Sequence, residues 1–210
     1  MKEKCRLGVL VSGSGTNLQA LMEASQETSY PAEVKIVISN VPEVMALKRA
    51  QKRNLPTATI PHKNFASREE FEKKLLETLK GAGVDLVVLA GFMRILSPFF
   101  VKAYPGRILN IHPSLLPKFP GVNAIQQAWE GREKVTGVTV HFVDEGTDTG
   151  PVVLQREVPI HPGETLESLT ARVHQVEHQI YPEAVRLFAE EKLKIKNHQV
   201  LIKIKGEVHL

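Results

Sequence analysis

The sequence predicts an α/β protein with a doubly wound, mostly parallel sheet and flanking helices, whose C-terminal part has antiparallel strands and a long helix. Three observations predict it. Up to about residue 106, short apolar runs alternate with amphipathic stretches at helical spacing. Strands alternating in this way with helices lie parallel and are joined by right-handed crossovers. Glycine turns close the apolar runs, as in SGSGTN at residues 12–17. Beyond Gly121 the alternation stops, and KVTGVTVHFV and PVVLQREVPI are separated only by the turn-forming DEGTDTG, as two antiparallel strands would be.

Each element has its own justification. In CRLGVLVSGSGTNLQALMEA, Val9 to Val11 form a continuous apolar run. Thr16 is placed to cap a helix in which Leu18, Leu21 and Met22 recur at helical spacing. EVKIVIS is a second strand, and a helix carrying Val44, Leu47 and Ala50 follows Pro42. PTATI is a short third strand. SREEFEKKLLETLKGAG is an amphipathic helix with Ser67 as N-cap, Glu70 three residues on, and Gly81 at its end. VDLVVLAG is the most apolar strand and is expected at the centre of the sheet. Ser97-Pro98 opens a short helix, and 107–111 is a strand ending at His112. NAIQQAWEG is helical, and HPGE leads into a long helix from about 165 to 190. The tail KLKIKNHQVLIKIKGEVHL alternates Lys with Leu and Ile, the pattern of an exposed hairpin with one buried face. No linker, repeat or low-complexity tract interrupts the chain. One domain over 1–210 is expected, with a phosphate-binding half at 1–106, a catalytic half at 107–190 and the tail at 191–210.

Composition narrows the function classes. The 210 residues are 42% hydrophobic and 24% charged, ordinary for a globular protein. No apolar run approaches the ~18 residues of a membrane helix, and the N-terminal LGVLV is too short for a signal peptide. The single Cys5 cannot form an intrachain disulfide, which suits a reducing cytoplasm. A net charge of +4 without an Arg/Lys block and interleaved aromatics points away from nucleic acid and towards small molecules. A homodimer is compatible with the sequence.

Three stretches carry candidate chemistry. SGSGTN lies where open α/β sheets bind ligands, beyond the carboxyl end of a strand. Its glycines admit an anion to backbone N–H groups, and the helix that follows adds a favourable partial charge. A dinucleotide fingerprint needs a third glycine where Leu18 stands, so a lone phosphate is the better fit, with Gly15, Thr16 and Asn17 as contacts. AGFMRILSP leaves the central strand at Gly91, and Phe92, Met93, Ile95 and Leu96 crowd that loop as the wall of a pocket would, with Arg94 the one charge among them. In RILNIHPSLLPKFPG, strand alternation sets Asn110 and His112 on one side of a buried strand end, and three prolines stiffen the loop that follows. A carboxamide beside an imidazole can supply an oxyanion hydrogen bond and a proton. The imidazole needs a carboxylate to orient it and keep it charged. Asp144, Glu145 and Asp148 are available, and any of them could instead close the turn.

SGSGTNLQAL, LAGFMRILSP, ILNIHPSLLPKFPG, VHFVDEGTDTGP and TARVHQVEHQIYPEAV together resemble the phosphoribosylglycinamide formyltransferases of purine synthesis, in order across essentially the whole chain. The wider folate-dependent formyltransferase family is marked by 110–121 alone. The resemblance implies formyl transfer from 10-formyltetrahydrofolate to the amine of phosphoribosylglycinamide, with no metal. It implies Asn110, His112 and Asp148 as the catalytic set and Gly15 to Asn17 as the phosphate loop. Met93, Arg94, Ile95, Leu96, Asn110 and the loop from Val143 and Asp144 to Asp148 would form the folate pocket, with Arg68 in addition. His174 and Glu177 would face the ribose or glycinamide of the acceptor. Two relatives with the same chemistry carry extra segments: a C-terminal RNA-binding domain in methionyl-tRNA formyltransferases and an N-terminal regulatory domain in formyltetrahydrofolate hydrolases. Neither is expected here. A rival from another class is HQVEH at 174–178, whose spacing is that of an inverted zinc-peptidase helix, with His174 and His178 on one face.

Overall fold

A computed structural model describes residues 3–204 and 207–209, so the first two residues and part of the alternating tail lie outside the described residues. Contacts gather the chain into two units, Met1–Leu109 and Asn110–Leu210.

The first unit holds β1 (Cys5–Val11), α1 (Thr16–Ala24), β2 (Ala32–Ser39), α2 (Met45–Gln51), β3 (Thr57–Thr59), α3 (Arg68–Gly81), β4 (Leu86–Leu89) and α4 (Pro98–Ala103). β1 pairs in parallel with both β2 and β4, and β2 with β3. Strands covered on both faces should be apolar throughout rather than alternating. Leu7, Val9, Leu10, Val11, Leu86, Val87 and Val88 are accordingly fully buried. Helices supply the covering: Leu75 and Leu79 of α3 are both buried, at the four-residue spacing that makes one stripe. Ser67 caps α3 by accepting a hydrogen bond from the Glu70 N–H. At α1 the expectation differs from the structure. Its N-cap is Gly15 at φ 72°, and Thr16 is the first helical residue, because the chain leaves β1 through a left-handed turn one position earlier.

β5 (Ile108–His112) begins in the first unit and ends in the second. The second unit continues with α5 (Ala124–Glu130), β6 (Val135–Phe142), β7 (Val152–Pro159) and α6 (Leu166–Ala189). β6 and β7 pair antiparallel, and α6 lies against both. The buried face of α6 runs Leu169, Val173, Glu177, Ile180, Tyr181, Ala184 and Val185 at helical spacing, with Glu177 its one charge. The seven strands form one sheet in the order β3-β2-β1-β4-β5-β6-β7, which puts β4 at its centre. In the tail β8 (Leu193–Lys196) and β9 (Gln199–Ile204) form the expected antiparallel hairpin, and β10 (Glu207–His209) adds a third strand, giving a separate sheet of order β10-β9-β8. Its alternation marks a buried face only in part: Val200 is buried, but Ile195 is exposed.

Candidate active site

In the first unit, order reverses between β1 and β4, since β2 and β3 lie on one side of β1 and β4 on the other. Such a switch point opens a crevice at the strands' carboxyl ends. The turn at 12–17 and the loop at 91–97 both start there, joined by Ser12 N–H donating to the Gly91 carbonyl and by Met93 N–H donating to Ser12 Oγ at 2.8 Å. Gly15 cannot be replaced without cost, because a Cβ there would lie 2.6 Å from Ala46 Cβ on α2. Gly15, the N-cap of α1, has no side chain with which to cap it. Asn17 is buried and Thr16 half-buried. Along the second loop Phe92 and Leu96 are buried, whereas Met93 and Ile95 are 69% and 63% exposed and Arg94 is exposed too. Two apolar side chains held in solvent beside a crevice suit a ligand with an apolar body. Arg68, at the start of α3, donates from Nη2 to the Ile95 carbonyl.

In the second unit, β5 delivers Asn110 and the buried His112. Asp148 reaches them from the loop between β6 and β7, its Oδ2 3.4 Å from His112 Nδ1 and its Oδ1 3.3 Å from Asn110 Nδ2. The other acids of that loop do other work. Asp144 accepts from Gly146 N–H and Thr149 Oγ1 and so closes the turn, Val143 is half-buried and Glu145 is exposed. Asp148 has φ 54°, a left-handed conformation that costs a non-glycine residue energy and persists where surroundings impose it.

A fourth side chain joins the three. His141, buried on β6, places Nε2 3.2 Å from Asn110 Nδ2 and 3.5 Å from Asp148 Oδ1, while its Nδ1 donates to the Phe142 carbonyl at 2.8 Å. Sequence reasoning missed it, although an imidazole inside the apolar run VTVHFV is the same kind of signal as Asn110 in RILNIH. Burial pushes the Asp148 carboxyl up, but the His141 hydrogen bond, the Gly121 N–H at 2.8 Å and the nearby imidazoles outweigh it and hold the group below the usual carboxylate range.

The proline loop after β5 serves the same cluster. Its Phe119 carbonyl accepts from His112 Nε2 at 2.8 Å, and its Gly121 N–H donates to Asp148 Oδ2. Thr139 of β6 anchors it, accepting from Leu116 N–H and donating to the Ser114 carbonyl, while Gln155 of β7 donates to the Leu116 carbonyl. Gly137 makes room for this, since a Cβ there would lie 2.4 Å from Leu115 Cδ2.

On α6, His174 Nδ1 meets Glu177 Oε2 at 2.7 Å, and that hydrogen bond, against the effect of burial, raises the His174 pKa above its ordinary value. The His174 and His178 rings lie nearly parallel with centroids 6.4 Å apart. Among the described residues, no group of three or more His, Cys, Asp or Glu side chains is gathered as a metal ion would require. Cys5 is remote from nucleophilic use, because burial and Asp85 push its thiol up to about 11.

Residues 5–185 match the model of the formyl transferase family. The chain is 50% identical over 184 residues to the trifunctional purine biosynthetic protein adenosine-3 of Drosophila melanogaster, covering 87% of this chain but 14% of that protein. It thus spans a small part of that larger relative. To the phosphoribosylglycinamide formyltransferase of Escherichia coli (strain K12) it is 45% identical over 187 residues, covering 89% of this chain and 88% of the relative. The crystal structure of glycinamide ribonucleotide transformylase 1 from Symbiobacterium toebii superimposes with a TM-score of 0.93 at 47% identity, over 96% of this chain and 95% of that one.

Proposed function

We propose, since the chain belongs to the formyl transferase family, that it moves the formyl group of 10-formyltetrahydrofolate to the amine of 5'-phosphoribosylglycinamide, a step of purine synthesis. The products are the N-formyl acceptor and tetrahydrofolate. The observation that carries the reading is the cluster of Asn110, His112 and Asp148, with His112 Nδ1 3.4 Å from the carboxylate. Homologues named for this transfer, of nearly the same length, support it.

The folate supplies an activated formyl carbon. As the neutral amine adds to that carbon, charge grows on the formyl oxygen, where Asn110 and protonated His112 stabilise it. Asn110 Nδ2 lies 3.2 Å from His141 Nε2 and donates to Asp148 Oδ1 at 3.3 Å. A hydrogen bond of 3.3 Å is long, so the carboxamide can turn an N–H to the charge developing on the formyl oxygen. Asp148 keeps His112 charged and oriented, and His141 holds Asp148 and Asn110 from the other side. The new C–N bond forms as the bond to the folate N10 breaks, and the proton lost by the amine ends on N10, carried by water. The turn at Gly15, Thr16 and Asn17 takes the acceptor phosphate, and His174 with Glu177 takes its ribose or glycinamide. Met93, Arg94, Ile95, Leu96, Val143, Asp144 and Arg68 take the folate. The partners are small molecules, and the compartment is the cytoplasm.

The test is an assay of the purified chain with both substrates, following formylated acceptor and deformylated folate together. Equal yields are expected. Folate deformylation without formylated acceptor would make the chain a hydrolase and overturn the proposal.

A further inference from the structure

The first unit contains a buried carboxylate that the proposed chemistry leaves unused. Glu72 is the charged residue among Phe71, Leu75, Leu76 and Leu79 on the buried face of α3, and it is 1% exposed. Burying a carboxylate is unfavourable unless its oxygens are well supplied with donors. They are. Oε1 accepts from Arg68 Nε at 3.2 Å and from Ser97 N–H at 2.8 Å, and Oε2 accepts from Ser97 Oγ. Ser97 ends the loop that carries Met93 and Ile95, and its hydroxyl caps α4. One carboxylate therefore grips both the start of α3 and the end of the exposed apolar loop.

The consequence falls on Arg68. Its guanidinium is fixed at two points, Nε on Glu72 and Nη2 on the Ile95 carbonyl. A guanidinium has five N–H donors in a planar fork, so three remain after those two bonds. The side chain is 45% exposed, next to the loop whose Met93 and Ile95 stand in solvent. A helix cap alone would not require a charge beneath it, since the Ser97 hydroxyl already accepts from Phe100 N–H. An immobilised cation beside an apolar surface suits a ligand with an apolar body and a terminal carboxylate.

We propose that Glu72 is a positioning residue for the folate donor: it holds Arg68 and the 93–96 loop so that the remaining guanidinium N–H groups meet the donor's glutamate carboxylate. The ligand's identity rests on the function proposed above, and the clamp rests on the geometry. Prior immobilisation of one rotamer-rich side chain predicts that its release weakens binding about three- to tenfold.

The test is a double-mutant cycle on the full chain, reading the Kd of tetrahydrofolate, KM and kcat, with Tm followed for each variant. Glu72→Gln keeps the side-chain size and should raise the folate Kd and KM by that factor with kcat little changed. Arg68→Ala should raise them at least as much, and the double variant should be no worse than Arg68→Ala alone. Arg68→Lys, at a half-exposed position where folding is not at stake, keeps the charge but loses the two-point grip and should match Glu72→Gln. Unchanged Kd in Glu72→Gln, a Glu72→Gln effect undiminished in the Arg68→Ala background, or full binding by Arg68→Lys overturns the proposal while leaving the proposed function standing. If the unaltered chain fails to bind tetrahydrofolate, the proposed function falls and takes this assignment with it.

Discussion

Asp148 stands between two imidazoles, His112 on one oxygen and His141 on the other, in a backbone conformation few residues other than glycine adopt. Its charge is what the proposed mechanism needs, because it faces the His112 imidazole that is to meet the developing oxyanion. Asp148→Asn keeps the shape and removes the charge, so turnover should fall steeply at pH 7.5. It should recover in part as the pH is lowered, until protonation of the acceptor amine limits it. A pH–rate profile checks this, with Asp144→Asn beside it, since Asp144 is spent on closing the turn and should alter folate KM instead. A flat loss at every pH in Asp148→Asn would mean a structural role. Asn110→Ala should lower kcat by ~10²–10³ with KM little altered, the effect of removing an oxyanion donor, and near-normal turnover would remove Asn110 from the chemistry. At this scale Asn110 and His112 were legible because polar side chains interrupt a buried strand. The choice among Asp144, Glu145 and Asp148 depends on how a loop closes, which spacing does not encode. The Phe119 carbonyl and Gly121 N–H belong to the backbone and leave no mark in residue type.

Elements were legible where local chemistry decides them. The capped α3 and the span of α6, from its Thr165 cap to Glu190, agree with the sequence within a residue or two. What holds the proline loop was not legible, because Thr139 and Gln155 reach it from strands 23 to 39 residues away. The tail's third strand escaped because alternation over so short a stretch does not fix how often the chain turns back. Helix α1 gives the prediction that belongs here. Gly15 combines φ 72° with contact to Ala46, so Gly15→Val meets a left-handed backbone cost of roughly 1–2 kcal/mol and a clash with α2. The variant should melt at a lower temperature, and its acceptor KM should rise more than its folate KM. Steady-state kinetics with each substrate varied in turn tests this. Equal losses for both substrates would mean general misfolding, or that the turn does not hold the phosphate.

For the whole molecule, composition and alternation were enough for fold class, but the response to acid is written in partners that only folding brings together. Arg6 and Asp85, 79 residues apart, join β1 to the residue preceding β4 by a backbone and two side-chain hydrogen bonds of 2.8–2.9 Å. The Arg6 bonds hold the Asp85 carboxyl below its ordinary value, despite partial burial. Arg172 holds Glu164 at about 2. A carboxyl depressed in the folded state stabilises the fold above its unfolded pKa of ~4, and that stability is lost as pH falls through the folded value, because the unfolded chain then binds more protons. His174 works the other way: raised by Glu177, it contributes fully below an unfolded pKa of ~6.5 and loses its contribution as pH rises through its folded value. From these groups, stability should therefore be flat between about pH 5 and 6, fall below pH 4, and fall gently on the alkaline side. Asp85 and Arg6 are each more than a third exposed, so salt should screen part of the effect. Urea midpoints measured from pH 2 to 8 test the scheme. Asp85→Asn should start less stable at pH 6 and lose less between pH 5 and pH 2 than the unaltered chain. Parallel curves for the two proteins would mean that Asp85 titrates alike folded and unfolded, and that the Arg6 pair does not set the acid limb.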